Sequence, residues 1–429
     1  MKNKGALFII FITIFIDLVG FGIILPIIPF YAEKFGASPT QIGFLAAAFS
    51  LMQFIFAPFW GRLSDRVGRR PIIIMSIFLS SISLVFFASA QNLIMLFAAR
   101  IFAGIFMANF SAAQAYIADI TTDEDRAKGM GLVGAAFGLG FIFGPSIGGI
   151  LSNPGVLSSM ESFYHLVTRH DITGLLVNNP YRIPAFFAAL LALMNSLGAL
   201  KFLPESCTPE SLAAAKAEQR EKHSRLHLIK QSVFHPIIGI FVILFFLITL
   251  AFANLEATFA LFTERVYNYT STDNGYLFAY IGVIMAIVQG GLIGPLTHRM
   301  GEGKILIIGL AIQGFGFLLL PYTAQFITLL LVIGLISVGN GLTNPSLQSL
   351  ISRNTNKSKQ GGVLGITQSL GSMARVIGPI WGGFFFDKLG VPAPYWSGGI
   401  MLIFCSYLAW WALQNMNRTK ANQVVTANE

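Results

Sequence analysis

Along most of the chain, apolar positions follow one another without the polar interruptions of an amphipathic helix or a half-buried strand. Twelve such runs cover residues 6–30, 40–60, 71–90, 93–117, 129–151, 183–203, 236–262, 274–297, 304–322, 325–350, 361–386 and 393–414. Each is about 20 residues or more, the length that carries a helix across a bilayer. In hydrocarbon every backbone N–H and C=O needs an internal partner, so runs of this length predict helices. The expected architecture is an all-α membrane protein with twelve transmembrane helices.

The polar connectors set the topology. Of the Lys and Arg residues, 21 fall on the side that holds both termini and five on the other, namely Lys34, Arg169, Arg182, Arg265 and Lys388. That asymmetry predicts cytoplasmic N and C termini. The stretch 204–235, rich in Ala, Lys, Glu and Gln, reads as a cytoplasmic linker with a surface helix over 213–222. It divides an N-terminal six-helix bundle, 1–203, from a C-terminal bundle with a short tail, 236–429. The extracytoplasmic loop 152–182 is far longer than its neighbours and reads as a solvated cap rather than a substrate-handling element. The first apolar run is too long for a signal peptide and lacks a cleavage site, so it is expected to be retained.

Composition narrows the class. Charged residues make up 11% of the 429-residue chain and hydrophobic ones 55%, against about 25% charged in soluble domains. The net charge of +9 is explained by loop residues meeting anionic lipid, and no nucleic-acid motif accompanies it. Cys207 and Cys405 frame no fold, and no metal or cofactor spacing is present, so neither is expected. No nucleotide loop, zinc-protease motif or nucleophile elbow occurs. An enzyme and an ATP-driven pump are thereby disfavoured, which leaves an ion gradient.

The chain repeats itself. Gly61-Arg-Leu-Ser-Asp-Arg-Val-Gly68 returns in degraded form as Gly294-Pro-Leu-Thr-His-Arg-Met-Gly301, an offset of 233, and Gly144-Pro-Ser-Ile-Gly-Gly149 as Gly378-Pro-Ile-Trp-Gly-Gly383, an offset of 234. Two motifs with nearly one offset indicate a duplicated six-span unit, the parallel repeat of facilitator-type transporters with a site near the bilayer midplane.

Three sets of residues carry candidate chemistry. The first is the connector 61–71, with Gly61, Asp65, Arg66, Gly68, Arg69 and Arg70. Gly61 is expected to let the chain leave one helix, Asp65 to sit at a helix N-terminus, and Arg69 or Arg70 to reach a carboxylate on a neighbouring span end. Asp119, in a run that ends at Arg126, is the best partner. The second set is span 5, where Gly140, Gly144, Pro145, Gly148 and Gly149 predict a bent helix packed closely on a neighbour. The third is the set of charges inside spans: Asp17, Arg100, Glu256 and Arg375. An ionisable residue there costs about 2.5–3.5 kcal/mol even on the mild insertion scale, so each marks a functional candidate. A carboxyl that alternates between an arginine neighbour and a desolvated site alternates between releasing and holding a proton. Gln53, Asn109, Gln114, Asn254, Gln289, Gln313 and Asn344 are further polar candidates for a cavity, beside Asn340, Gln348 and Gln368. Helix-to-helix bonding is the competing role for each.

The Gly-x-Leu-x-Asp-Arg-x-Gly-Arg-Arg connector resembles the signature loop between spans 2 and 3 of the major facilitator superfamily. Gly140 to Gly149 resembles that superfamily's antiporter motif. Ala115-Tyr-Ile-Ala-Asp-Ile-Thr121, Phe137-Gly-Leu-Gly140, Phe186-Phe-Ala-Ala189 and Leu203-Pro-Glu-Ser206 resemble the tetracycline/proton antiporter and related drug-efflux group, in order. The resemblance implies that the connector and Asp119 form a cytoplasmic latch that breaks during turnover. It also implies that Arg100 matches a span 4 arginine involved in proton movement, which makes Asp17 with Arg100 the expected pair. The group carries acids in spans 1, 3 and 9 and a histidine in span 8. Asp17 matches the first; Ser83, Gln313 and Met285 stand at the others, so export of a tetracycline–metal chelate does not carry over, and Glu256 is a candidate for a missing proton site.

The expected function is a proton-coupled antiporter of the inner membrane that exports a small amphipathic compound (a drug, siderophore or metabolite). Its partners are the substrate, protons and membrane lipid, and it is expected to be a monomer. An uptake symporter or facilitator of a small nutrient is the alternative, and a non-transporting membrane sensor a third reading.

Overall fold

The computed structural model describes residues 4–107, 110–121, 126–168, 174–207, 238–355 and 360–427. All regular structure among them is helical. The proposed surface helix at 213–222 and Asn109 lie outside the described residues. Two compact units are present. Met1–Lys222 with Phe259–Gly282 form one, and His223–Thr258 with Val283–Glu429 form the other.

The first unit contains α1 (Lys4–Ile24), α2 (Ile28–Glu33), α3 (Pro39–Val67), α4 (Arg69–Ala88), α5 (Leu93–Phe106), α6 (Phe110–Ile120), α7 (Arg126–Leu151), α8 (Pro154–Thr168) and α9 (Arg182–Phe202). α1 packs on α7 and α9, α4 on α9 and α5, and α3 on α5. α3 opens with a reciprocal capping box in which the Ser38 hydroxyl accepts from the Gln41 N–H and the Gln41 side chain accepts from the Ser38 N–H. The unit is completed by the hairpin 259–282, the end of α10 (Ile238–Tyr267) and the start of α11 (Ser271–Ile287).

The second unit takes the rest of α10 and α11. It continues with α12 (Ile293–Met300), α13 (Glu302–Leu319), α14 (Phe326–Arg353), α15 (Gln360–Leu389) and α16 (Ala393–Ala427). A π-helical turn, Val288–Leu292, runs α11 into α12. α13 packs on α14 and α16.

Among the described residues, ten helices are long and apolar enough to cross a membrane. Two of the twelve expected spans stand apart from these. α15 is 30 residues long but is diluted by Gly, Ser and Gln. α5 breaks off at Phe106, with Met107 outside the helix at φ −76° and ψ 12°, and α6 covers Phe110–Ile120. Carbonyls at this helix end are met by side chains of other helices. Trp60 Nε1 donates to Ile105 O (2.6 Å), Ser76 Oγ to Phe106 O, and Gln53 Nε2 to Met107 O (3.1 Å). A helix end among apolar neighbours is tolerable when its carbonyls find such donors.

The loop 152–182 holds α8, fifteen residues long, which begins after two residues, Ser152 and Asn153, that follow the end of α7.

Candidate functional site: a glycine joint, a glycine seam and buried polar side chains

α3 does not end at Gly61. It runs through Asp65 to Val67, and the whole connector to α4 is Gly68, with φ 109° and ψ 156°. Asp65 therefore lies in the last turn of α3 rather than at a helix N-terminus. A carboxylate is disfavoured there by the helix dipole, and Arg69 Nη1 offsets it at 2.5 Å from Asp65 Oδ1. The N-terminal position at α4 is taken by Glu205 instead. Its carboxylate accepts the N–H groups of Arg69 (3.0 Å) and Arg70 (3.3 Å), and those of Ser206 and Cys207. A Cβ at residue 68 would lie 2.5 Å from Glu205 Oε2, so glycine is required there by backbone conformation and by the carboxylate that fills the space.

Arg69 also donates through Nε to Asp119 Oδ2 at 3.2 Å and through Nη1 to Ser64 Oγ at 2.8 Å. Arg70 Nη2 donates to Leu200 O (2.6 Å), and Tyr116 OH to Pro204 O (2.8 Å). One guanidinium thus joins α3 and α4 to the end of α6, while Glu205 brings in the segment after α9. Burial and the Asp119 carboxylate push the Cys207 thiol up. Arg66 is exposed, and Gly61 O accepts from Ser64 Oγ. The Arg126 side chain lies outside the described residues.

The second feature is the glycine face of α7. A Cβ on Gly144 would lie 2.6 Å from Gly22 Cα and 2.8 Å from Val19 O, and one on Gly148 would strike Ile23 O. Gly140 is pressed on Leu18. The neighbouring face of α7 meets the hairpin. A Cβ on Gly275 would lie 2.5 Å from Pro145 O and 2.9 Å from Gly149 Cα. Thr272 Oγ1 donates to Gly149 O (2.9 Å), and the Ser152 and Ser271 hydroxyls are 2.7 Å apart. α7 is therefore in backbone contact with α1 on one side and α11 on the other. Close by, Arg265 Nη2 lies 3.3 Å from Glu33 Oε1. Burial and the Glu264 and Glu33 carboxylates push the Tyr181 phenol up to about 12. Sequence reasoning counted Arg265 only as a topology charge and passed over Ser152, Ser271 and Thr272.

The third feature is the set of ionisable and amide side chains on the long helices. Arg100 on α5 is 7% exposed. Its guanidinium sits over the Phe49 ring, 4.3 Å from the centroid, a contact worth up to about 2 kcal/mol when desolvated. Phe49 in turn packs on Phe21 of α1, centroids 5.7 Å apart. Asp17, half-buried, lies one turn from Phe21 on the same face of α1. In the second unit, Glu256 is half-buried on α10 and Arg375 is exposed on α15.

The amides divide by role. Gln53 caps the break after α5. Asn254 is 1% exposed and donates to Pro394 O at 2.8 Å, while its Oδ1 crowds Gly382; it ties α10 to α15 and α16. Asn344 Nδ2 donates to Asn340 Oδ1 at 2.7 Å, and Asn340 Nδ2 lies 3.7 Å from Met285 Sδ. Gln313 is fully buried, and among the described residues neither of its amide atoms has a hydrogen-bond partner. Gln114 is half-buried, and Gln289, Gln348 and Gln368 are exposed.

Residues 10–293 and 290–427 match the Major Facilitator Superfamily. The chain belongs to the Major Facilitator Superfamily. Similar superfamily members include "Multidrug resistance protein 2" of Bacillus subtilis (strain 168), 29% identical over 405 residues and 94% of each chain. Another is "Tetracycline resistance protein, class C" of Escherichia coli, 32% identical over 388 residues and 89% of each chain. Among solved structures, the human organic anion transporter TETRAN is 23% identical, with a TM-score of 0.68 over 95% of this chain and 100% of its own. A bacterial homolog of the human lysosomal transporter Spinster, inward-facing and occupied, is 15% identical with a TM-score of 0.71 over 95% and 96%. Both carry the superfamily fold. The chain is a transporter of that superfamily, not an enzyme. Of the residues that the sequence resemblance sets against the tetracycline group's other acids and histidine, Ser83 donates to Leu79 O, Gln313 is an amide and Met285 a thioether. None of the three is a proton carrier.

Proposed function

We propose that this transporter exports a small amphipathic compound in exchange for protons, by alternating access, across the inner membrane. In this reading the chain has twelve spans in two six-helix halves, 1–203 and 236–429, joined by the cytoplasmic linker 204–235, with both termini in the cytoplasm. It works as a monomer in lipid. The observation that carries the reading is the two-sided glycine contact of α7. A helix held backbone to backbone against α1 and α11 at Gly144, Gly148 and Gly149 is a seam that opens or closes as a rigid edge, because at those positions no side chain is present to cushion a partial separation.

Asp17 is the proposed proton carrier, with Arg100 as the charge that competes for it, and Glu256 and Arg375 are the second-half candidates. A carboxyl that loses its proton when an arginine approaches, and regains it when desolvated, couples proton flow to the conformational cycle. The joint at Gly68, with Asp65, Arg69 and Asp119, is the latch that favours one end state. The names of the multidrug and tetracycline resistance relatives support an amphipathic drug as substrate. The replacement of the acids and histidine by Ser83, Gln313 and Met285 argues against a metal chelate.

The test is transport in proteoliposomes with an imposed pH gradient, using ethidium and tetracycline as probes. Gradient-driven movement of ethidium that stops when the gradient is collapsed, and is lost in Asp17→Asn, is the expected result. Movement indifferent to the gradient would replace antiport with facilitated diffusion.

A further inference from the structure

We infer that α8 is an interfacial anchor that lies in the membrane surface on its own side of the bundle, with its apolar face in the lipid. Val156, Met160, Phe163, Tyr164 and Val167 recur at i, i+4, i+7, i+8 and i+11, one face of a helix. That face lines an open groove of ≈ 1030 Å³ together with Leu175. Phe163, Leu166 and Val167 are 68%, 77% and 65% exposed. The opposite edge is already satisfied: Leu157 is fully buried and Glu161 is 6% exposed. The Glu161 carboxylate accepts the N–H groups of Gly174 (2.9 Å), Leu176 (2.6 Å) and Val177 (3.1 Å), so the returning chain is fixed against α8. Ser158, Ser162 and His165 form the remaining, polar stripe.

Three observations choose lipid as the occupant. The chain holds α8 at the membrane boundary, because α7 ends at Leu151 and α9 begins at Arg182, and both are long enough and apolar enough to cross a membrane. Those spans also expose apolar side chains in the turns nearest α8 in the chain, Ile150 on α7 and Phe186 and Leu190 on α9, each 40% exposed or more. Finally, α8 holds no Lys or Arg, and its one acid is turned inward on backbone donors. An anchor of this kind is held by apolar area with aromatic side chains at the headgroup level, and does not depend on anionic lipid.

The test uses the full chain with Cys207→Ser and Cys405→Ala, carrying single nitroxide labels at Phe163→Cys, Val167→Cys, Ser162→Cys or His165→Cys. The protein is reconstituted in vesicles of phosphatidylethanolamine and phosphatidylglycerol. Collisions with oxygen, which partitions into lipid, are compared with those of a water-soluble nickel chelate. Labels at 163 and 167 are expected to favour oxygen several-fold, at a depth of about 5–10 Å. Labels at 162 and 165 are expected to favour nickel, and the depth is expected not to change with the phosphatidylglycerol fraction. Nickel access at all four positions would place α8 in water and overturn the inference. So would access of neither probe at 163 and 167, which means a protein cover, with spin–spin broadening between chains identifying a second copy. A depth that follows the anionic lipid would overturn charge-free anchoring. Tyr164→Cys supplies a further apolar-face label should Phe163→Cys fail to fold.

Discussion

At Gly68 a basic residue that follows the joint reaches an acid fifty positions on; at Gly301 an acid that follows the joint reaches a base fifty-one positions on. The pairs are Arg69 with Asp119, 3.2 Å, and Glu302 with Arg353, 2.6 Å. Their positions are related by the offsets of 233 and 234 that relate the repeated motifs. Both joints are single glycines with positive φ, 109° and 78°, and each donates its N–H to the residue four back, Ser64 O and Thr297 O. The backbone device is shared while the charges are exchanged. The surroundings differ as well. A Cβ built on Gly68 meets the Glu205 carboxylate, whereas nothing lies within 4 Å of a Cβ built on Gly301. The two joints share what the helix-to-helix turn requires of the backbone and carry the ion pair in opposite senses. The larger network stands at the first joint, which is why the latch role is proposed for it.

The largest contrast is expected from alanine at the two glycines. Both substitutions meet the penalty of a positive-φ, extended backbone region that is essentially glycine-only, roughly 1–3 kcal/mol. Gly68→Ala must in addition displace Glu205 from the α4 N-terminus, adding about 1 kcal/mol. Thermal melts in detergent are therefore expected to rank wild type above Gly301→Ala and both above Gly68→Ala. Equal losses would mean that Glu205 contributes nothing at the joint. Next comes Glu205→Ala, which should cost about 0.5–2 kcal/mol as a lost cap, against no comparable site at Gly301.

A smaller effect is expected at Cys207. Its thiol is raised by burial and by Asp119, and Cys207 Sγ lies 3.8 Å from Asp119 Oδ2. A raised pKa leaves less thiolate at a given pH, so Asp119→Asn should speed maleimide labelling near pH 8 a few-fold. Cys405 is fully buried and contributes little background. An unchanged rate would remove Asp119 from the thiol's surroundings. The smallest effect belongs to the second joint: a double-mutant cycle of Glu302→Gln and Arg353→Gln should give a coupling below about 1 kcal/mol, because the Arg353 side chain is 68% exposed.

Ten of the twelve expected spans were legible because a long apolar run forms a helix to satisfy its own backbone. The glycines of span 5 were legible because a four-residue spacing puts them on one face. What escaped was set by partners distant in sequence. The break after Phe106 depends on Trp60, Ser76 and Gln53 from other helices, and no local signal in 93–117 announces it. Asp65 was expected at a helix start because Gly61 looked like a helix end. The position is taken by Glu205, 136 residues away from Arg69, whose only trace was the run Leu203-Pro-Glu-Ser206. α8 is a different case: its period was readable in Val156, Met160, Phe163 and Val167, but the length of the loop obscured it.

The proposal that a half-buried carboxyl trades its proton for substrate is tested most directly by proton release. Purified protein in weakly buffered detergent near pH 7 is mixed with ethidium or tetracycline, and the pH is followed for wild type, Asp17→Asn and Glu256→Gln. The account predicts release from the wild type on ligand binding and its loss in Asp17→Asn. Binding without release in the wild type, or release that survives in both variants, would contradict proton–substrate exchange at these carboxyls.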